Sequence, residues 1–351
     1  MKKPNVLFIT EKWPRNNPNI GETSLYHTLF ASLQESKLAN MAIVHPDEWL
    51  IIRGEPLDYE LLTVVAQPQH SPDIIVYSWL SSQSREPELI GICNPKFMTW
   101  VRMKAINPQL KLCGIWGDSA WQVSQSYMFQ LMNVFDLHLT LDVKHQGEHE
   151  KVLALWGYPY ASHLFYGDPL AERLIDASFV GSVANRPERI KAFEELDKRG
   201  VSIQRFGGQL EQNLTFAEYA SIFRQSKISL NLTTMTSKGR SKESLLCGSC
   251  LFEPDISATK NWLKPNKDYV VYKTNKGEID YDNLALLIKE YLANPKKRLK
   301  VATQGYKTVQ EKYSGIEWWK VVLDKLGFGS TKEYTVSQDG LEEFHEQIKL
   351  I

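Results

Sequence analysis

Arg240 and Glu243 stand three residues apart in GRSKESLL. On a helix that spacing puts a guanidinium and a carboxylate on one face, where by themselves they make a surface ion pair. Three other groupings carry reactive residue types. Cys247 and Cys250 form a C-x-x-C near the end of a helical segment, whereas a redox pair draws thiolate character from a helix start. A zinc site would need two further ligands, and Cys93 and Cys113 have no paired spacing, so small buried cysteines are expected. His145 and His149 fall at i,i+4 with Glu148 between them, but the order is not that of a zinc protease, and a solvated helix face is the simpler reading. Asp280-Tyr-Asp282 leads into DNLALLIKEYL, where Asp282 reads as an N-cap rather than as half of a cation chelate. No metal site is expected.

The elements that must position such groups repeat one pattern. Short apolar runs at 6–10, 41–44, 73–78, 111–116 and 135–141 read as strands, and 23–35 has helical spacing in Leu25, Leu29, Phe30 and Leu33. The pattern restarts with a strand at 177–181 and a helix at 187–198, which puts Ile190, Phe193 and Leu196 on one face. A strand at 201–206 ends in Gly207-Gly208; a helix at 216–224, strands at 228–232 and 250–253, and a helix opening at 242–246 follow. Helices at 282–292 and 297–312 close the chain. Near-continuous apolar strands alternating with helices indicate parallel sheets covered on both faces. The expected fold is therefore α/β, with two doubly wound, Rossmann-like domains facing a cleft. The stretch 163–173, with Gly167-Asp168-Pro169, links them. The expected domains are 1–165 and 174–320, and 321–351 is a tail that either crosses back to the first domain or binds a partner. Ligands of such sheets sit outside the carboxyl ends of the strands. Here those ends carry Glu11, Ser78, Asp118, Asp142, Gly181-Ser182, Gly207-Gly208 and Asn231.

Composition narrows the classes. With 351 residues, 43% apolar and 23% charged, the chain is neither disordered nor fibrous. Lys+Arg and Asp+Glu are 41 each, so no global field favours nucleic acid or an acidic membrane. Four cysteines cannot form a disulfide scaffold, and the N-terminus has too short an apolar stretch for a secretory signal. No apolar run reaches transmembrane length. A cytoplasmic protein is expected.

The segments FVGSVANRPERIKAFEEL, VSIQRFGG, EYASIFRQSKISLNLT and GRSKESLLCGSCLFEP resemble, in order and interval, the C-terminal domain of the GT-B glycosyltransferases. They are most similar to the spore-maturation-protein-like, group 1 branch, over about residues 135–315. FITEKWP…NIGETSLYHTLFASL resembles the first loop and helix of that superfamily, and EKYSG…EWW its closing helix. The resemblance implies a metal-independent enzyme that moves a sugar from a nucleotide-sugar donor to an acceptor hydroxyl, with no cofactor. It assigns Glu243 to the ribose hydroxyls, since a carboxylate accepts two O–H groups at once. It assigns Arg240 to the diphosphate, whose oxygens match a guanidinium fork. Gly239 would allow close backbone approach, and Lys242 opens a helix whose start adds partial positive charge. Ser182, Arg186, Gly207 and Gly208 complete the implied donor site.

One departure matters. Met235 stands where many retaining members carry an additional glutamate, which leaves retention against inversion open. An inverting enzyme needs a general base. Asp118 in GIWGDSAW is the first candidate, although Gly-Asp-Ser-Ala equally suits a helix N-cap; Glu22 and His27 follow. Asn19 and Gly21 would line the sugar or acceptor subsite, and Trp13, Trp79 and Trp121 are candidates for stacking on sugar. The acceptor, a glycan, protein, small molecule or modified base, is not named by any motif, and zero net charge disfavours nucleic acid. The alternatives are a nucleotide-sugar epimerase of the same fold and a non-catalytic relative that binds a nucleotide or a partner.

Overall fold

The computed structural model describes residues 3–12, 26–78, 94–116, 128–140, 149–183, 186–207, 214–232 and 239–329. The chain divides into two compact units, Met1–Leu155 with Gly315–Ile351, and Trp156–Ser314.

The first unit is built on six parallel strands: β1 (Asn5–Ile9), β2 (Asn40–Val44), β3 (Ile74–Ser78), β4 (Lys111–Trp116), β5 (Leu137–Thr140) and β6 (Val152–Ala154), in the order β2-β1-β3-β4-β5-β6. The inner strands are buried almost throughout because helices cover both faces, which is why they read as continuous apolar runs. Helix α1 (Ala31–Ser36) follows a single π turn, Tyr26–Phe30. The sequence pattern passed over α2 (Pro46–Arg53), α3 (Asp58–Ala66) and α4 (Phe97–Ile106). Helix α2 has clear end signals, Pro46 at its first turn and Gly54 at φ 73 after it. Tyr77, Trp100, Trp116 and Phe135 form an aromatic centre on one face of the sheet.

The second unit holds β7 (Ile175–Val180), α5 (Pro187–Lys198), β8 (Gln204–Phe206), α6 (Phe216–Gln225), β9 (Ser226–Leu230), α7 (Arg240–Leu246), β10 (Cys250–Pro254) and β11 (Val270–Tyr272). A two-strand ribbon, β12 (Thr274–Asn275) with β13 (Glu278–Ile279), precedes α8 (Tyr281–Ala293) and α9 (Pro295–Lys312). The five-stranded sheet is parallel with order β11-β10-β9-β7-β8. Its order reverses between β7 and β9, the position at which doubly wound sheets bind ligands. Thr215 and Glu218 close a reciprocal capping box at the start of α6.

Several expectations shift. Asp280, not Asp282, caps α8, accepting the Asn283 N–H at 3.0 Å, because the helix begins at Tyr281; Asp282 pairs with Arg199 at 2.7 Å instead. His149 lies outside any helix, and its ring accepts the Lys151 N–H at 3.1 Å. The unit boundary lies at Leu155, earlier than 165, and the chain rejoins the first unit at Gly315, earlier than 320. The rejoining helix, α10 (Gly315–Lys325), packs on α1: Trp319 meets Phe8 edge-on at 6.3 Å and donates its indole N–H to Ser32 Oγ at 2.9 Å.

Candidate functional site

At the carboxyl end of β7, Phe179 is fully buried, and two guanidiniums lie against its ring. Arg189 Cζ is 5.4 Å and Arg240 Cζ 5.3 Å from the centroid, within cation–π range. Gly181 follows at φ 153, and a Cβ there would stand 2.5 Å from Arg240 Nη2, so the guanidinium rests on bare backbone. Gly207 ends the neighbouring β8 at φ 77, and Gly181 donates its N–H to the Phe206 carbonyl at 2.9 Å. Two adjacent strand ends therefore finish in glycines whose backbone conformation other residues rarely adopt.

Arg186 precedes α5, and Arg189 in its first turn donates Nη1 to the Ser182 carbonyl. Among the described residues the only ion pair made by Arg186, Arg189 or Arg240 is the exposed Arg186–Glu188 contact at 4.0 Å. Burial, with the positive charges of Arg240 and Arg186, pulls Arg189 down to about 10. The buried Nε of Arg240 has no acceptor. Arg186 and Arg240 each raise the energy of Arg189, with Glu188 the one exposed carboxylate in ion-pair contact with the group among the described residues, and an anion bound among the three relieves that repulsion.

Glu243 sits one turn along from Arg240 on α7, and it is buried, which rules out the surface ion pair. Its Oε2 accepts the Tyr219 O–H at 2.6 Å. Its Oε1 folds back over Gly239, where a Cβ would stand 2.8 Å away. Burial raises the carboxyl pKa, partly offset by the Tyr219 bond and by Arg240. Lys242 is fully buried and donates Nζ to the Tyr158 carbonyl; burial lowers it to about 7.

Behind α7 lies a group that the sequence reading missed. Glu253 on β10 is fully buried and accepts from Asn231 Nδ2 at 3.0 Å, Thr259 Oγ1 at 3.0 Å, and the hydroxyls of Ser241 and Ser257. This carboxylate ties the ends of β9 and β10 to the first turn of α7, which carries Arg240. A charge inside the apolar run CLFEP was its signal, since a buried carboxylate must be partnered. Arg189 was missed as well; its one signal was its place as a second arginine three residues after Arg186, on the first turn following a glycine-ended strand. Tyr219 had no signal beyond its place on a helix.

Other candidates fall as follows. Glu22, Asp118, Gly208, Met235, Asn19, Gly21, Trp13, Trp79, Trp121, Asp142 and His145 lie outside the described residues. His27 has its backbone in the Tyr26–Phe30 turn, its side chain outside the description. Ser182 is exposed beside Gly181. Glu11 and Ser78 are buried at the ends of β1 and β3. Nearby, His45 Nδ1 meets the Thr10 carbonyl at 2.9 Å, and Asp47 accepts the Lys12 N–H at 3.0 Å. Cys247 and Cys250 are buried thiols that burial pushes up to about 12, which suits packing rather than redox chemistry. Among the described residues, no group of three His, Cys, Asp or Glu could hold a metal ion, and no helix is long and apolar enough to cross a membrane.

Residues 172–324 match the family model described as Glycosyl transferase-like. No curated protein matches the chain by sequence. Among solved structures, HepE of Anabaena in complex with UDP and glucose is similar at 11% identity, with 92% of this chain and 99% of that one covered and a TM-score of 0.55. TarM of S. aureus follows at 13% identity, 77% and 57% coverage and 0.54. The pneumococcal O-GlcNAc transferase GtfA, in complex with UDP and GlcNAc, gives 12%, 77% and 59%, and 0.52. The chain thus spans little more than half the length of TarM and of GtfA. The protein has the GT-B fold of two parallel-sheet α/β units, and the match to the glycosyl transferase-like family model falls almost wholly on its second unit.

Proposed function

We propose that the second unit binds a nucleotide sugar and that the protein transfers the sugar to an acceptor hydroxyl. The observation that carries this reading is the pair Arg189 and Arg240 over Phe179, with Arg240 against Gly181 and Arg186 close enough to act on Arg189, and with Glu188 the one carboxylate in ion-pair contact among the described residues. It stands at the switch point of a parallel sheet, within the glycosyl transferase-like segment. A diphosphate supplies the missing negative charge, and each charge-assisted hydrogen bond to it contributes about 1.5–3 kcal/mol. As the bond from the anomeric carbon to the diphosphate breaks, the leaving oxygens gain charge, and the same guanidiniums stabilise it. That role takes the place of a divalent cation. Glu243, with one oxygen held by Tyr219, presents the other to a ribose hydroxyl. Uridine is the favoured base, because HepE and GtfA were each solved with UDP. Ser182, Gly207 and Gly208 frame the phosphates, and Lys242 supports α7 through its bond to Tyr158.

The acceptor is assigned to the first unit, where Asp118, Glu22 and His27 are the candidates to take the proton from its hydroxyl. Buried free thiols and a nucleotide-sugar substrate together favour the cytoplasm.

The test is a melting panel with UDP, GDP, TDP, ADP and CMP on wild type, Arg189→Ala, Arg240→Ala and Glu243→Ala. UDP is expected to raise the wild-type Tm by several degrees at 100 times its dissociation constant. Each substitution should weaken UDP about 10- to 100-fold. Arg189→Ala should leave the empty protein as stable as wild type or slightly more so, because it relieves repulsion. Absence of any nucleotide response at millimolar concentration would overturn the reading. Product analysis with UDP-sugars, with and without acceptors, then separates transfer from epimerisation.

A further inference from the structure

At the amino-terminal edge of the second sheet, opposite the donor end, lies a cavity of about 260 Å³ lined by the 169–173 loop, the start of β9, Gly248 and the first turns of α9. Two guanidiniums bound it, Arg173 at 8% and Arg298 at 9% exposure. Arg173 donates Nη1 to the carbonyls of Phe223, Arg224 and Ser226 at 2.9–3.0 Å, and Nη2 to those of Asp168 and Cys247 at 3.0 and 2.9 Å. Its buried Nε has no acceptor. Arg298 donates Nη1 to the carbonyls of Tyr291 and Leu292 at 2.9 and 3.3 Å, and its Nε and Nη2 make no hydrogen bond among the described residues.

Carbonyls satisfy N–H groups but carry only partial charge, and among the described residues neither buried guanidinium has a carboxylate in ion-pair contact. Lys227, the third cation on the wall, is matched by Asp176 at 2.6 Å. Two carboxylates belong to the same loop, and neither forms an ion pair with Arg173 or Arg298 among the described residues: Asp168 accepts the Leu170 N–H at 2.9 Å and acts on Arg173 only through its charge, and Glu172 is exposed. Burial lowers the Arg173 pKa; the negative charge of Asp168 opposes the shift and the positive charge of Arg298 adds to it. A Cβ on Gly248 would stand 2.5 Å from Arg173 Nη2, so the loop is shaped around this guanidinium. Arg298 lies in the first turn of an 18-residue helix whose amino end adds partial positive charge.

We propose that this cavity is a binding site for a small phosphate-bearing anion, held by Arg298 Nε and Nη2 on the wall that Arg173 supports. It is separate from the diphosphate site. Arg240 and Glu243 stand at the start of α7, whereas Arg173 holds the carbonyl of Cys247 at its end, about 10 Å along the helix.

The test follows the Tm of the full chain in millimolar inorganic pyrophosphate, with and without saturating UDP, for wild type, Arg298→Gln and Ala171→Trp. Pyrophosphate added on top of UDP should raise the wild-type Tm by about 3 °C or more and that of either variant by less than about 1 °C. Ala171 is exposed on the cavity wall, and its replacement fills space without removing a bond of the arginine cluster. It therefore decides the matter if Arg298→Gln does not fold. An equal pyrophosphate response in wild type and Ala171→Trp overturns the site. Should UDP itself have no effect, the donor reading falls, while the comparison of wild type with the variants in pyrophosphate alone still decides the cavity.

Discussion

Lys242 shows what burial does to a single residue beside a charged site. Its ammonium has one carbonyl partner, and burial brings it down to about 7 from an ordinary value of 10.5. The unfolded chain therefore holds an extra proton between those two values, so stability rises with pH through that window and is lost as pH falls through 7. The rise is about 1.4 kcal/mol per pH unit at most. In Lys242→Met it should be absent. Urea midpoints at pH 7 and pH 9 are expected to show wild type gaining about 2–3 kcal/mol on the variant, and parallel pH profiles would exclude a neutral lysine. Residue identities of this kind were only half legible beforehand. Arg240 and Glu243 were assigned through a motif, but the same spacing suits a surface pair, and only burial separates the two readings. Arg189 was missed because a guanidinium in the first turn of a helix looks like any solvated charge until Phe179 is placed beneath it.

Among the elements, α7 depends most on others. It has seven residues, too few to be stable alone, and its end is held by Arg173 and its start by Glu253 through Ser241. Glu253→Gln exchanges an acceptor oxygen for a donor in a site that needs acceptors, at a cost of about 1–3 kcal/mol. The expected result is a lower urea midpoint with unchanged m-value, and a raised KM for the donor with kcat largely kept. A loss of kcat at unchanged KM would contradict a positioning role. Strands were the most readable elements, since near-continuous apolar runs bounded by turns admit few other readings in an α/β chain. Helices α2 to α4 escaped because eight to ten residues give too few turns for a clear stripe. The N-cap of α8 moved from Asp282 to Asp280 because both types cap well, and only the hydrogen bond to Asn283 distinguishes them.

At the scale of the molecule, the chain ends its second unit at Ser314 and returns to the first, where Trp318 and Trp319 are fully buried. Trp319→Ala removes an indole packed on Phe8 and bonded to Ser32, at a cost of about 3–5 kcal/mol. Calorimetry should show the first unit destabilised while UDP affinity, which the proposed donor site assigns to the second, stays within twofold. A large loss of UDP affinity would tie α10 to the donor site instead. Apolar periodicity and turn chemistry along the chain were enough for the two parallel sheets, most of their strand segments and the glycines at the ends of β7 and β8, whereas the order of strands within each sheet came only from the fold. The fold in space decided how each charge is partnered: the guanidiniums of Arg189 and Arg240 on the Phe179 ring, the carboxylate of Glu253 among three hydroxyls and an amide, and the guanidiniums of Arg173 and Arg298 on backbone carbonyls. The cost of a charge depends on what surrounds it in space, and those neighbours come from segments as many as 74 residues apart.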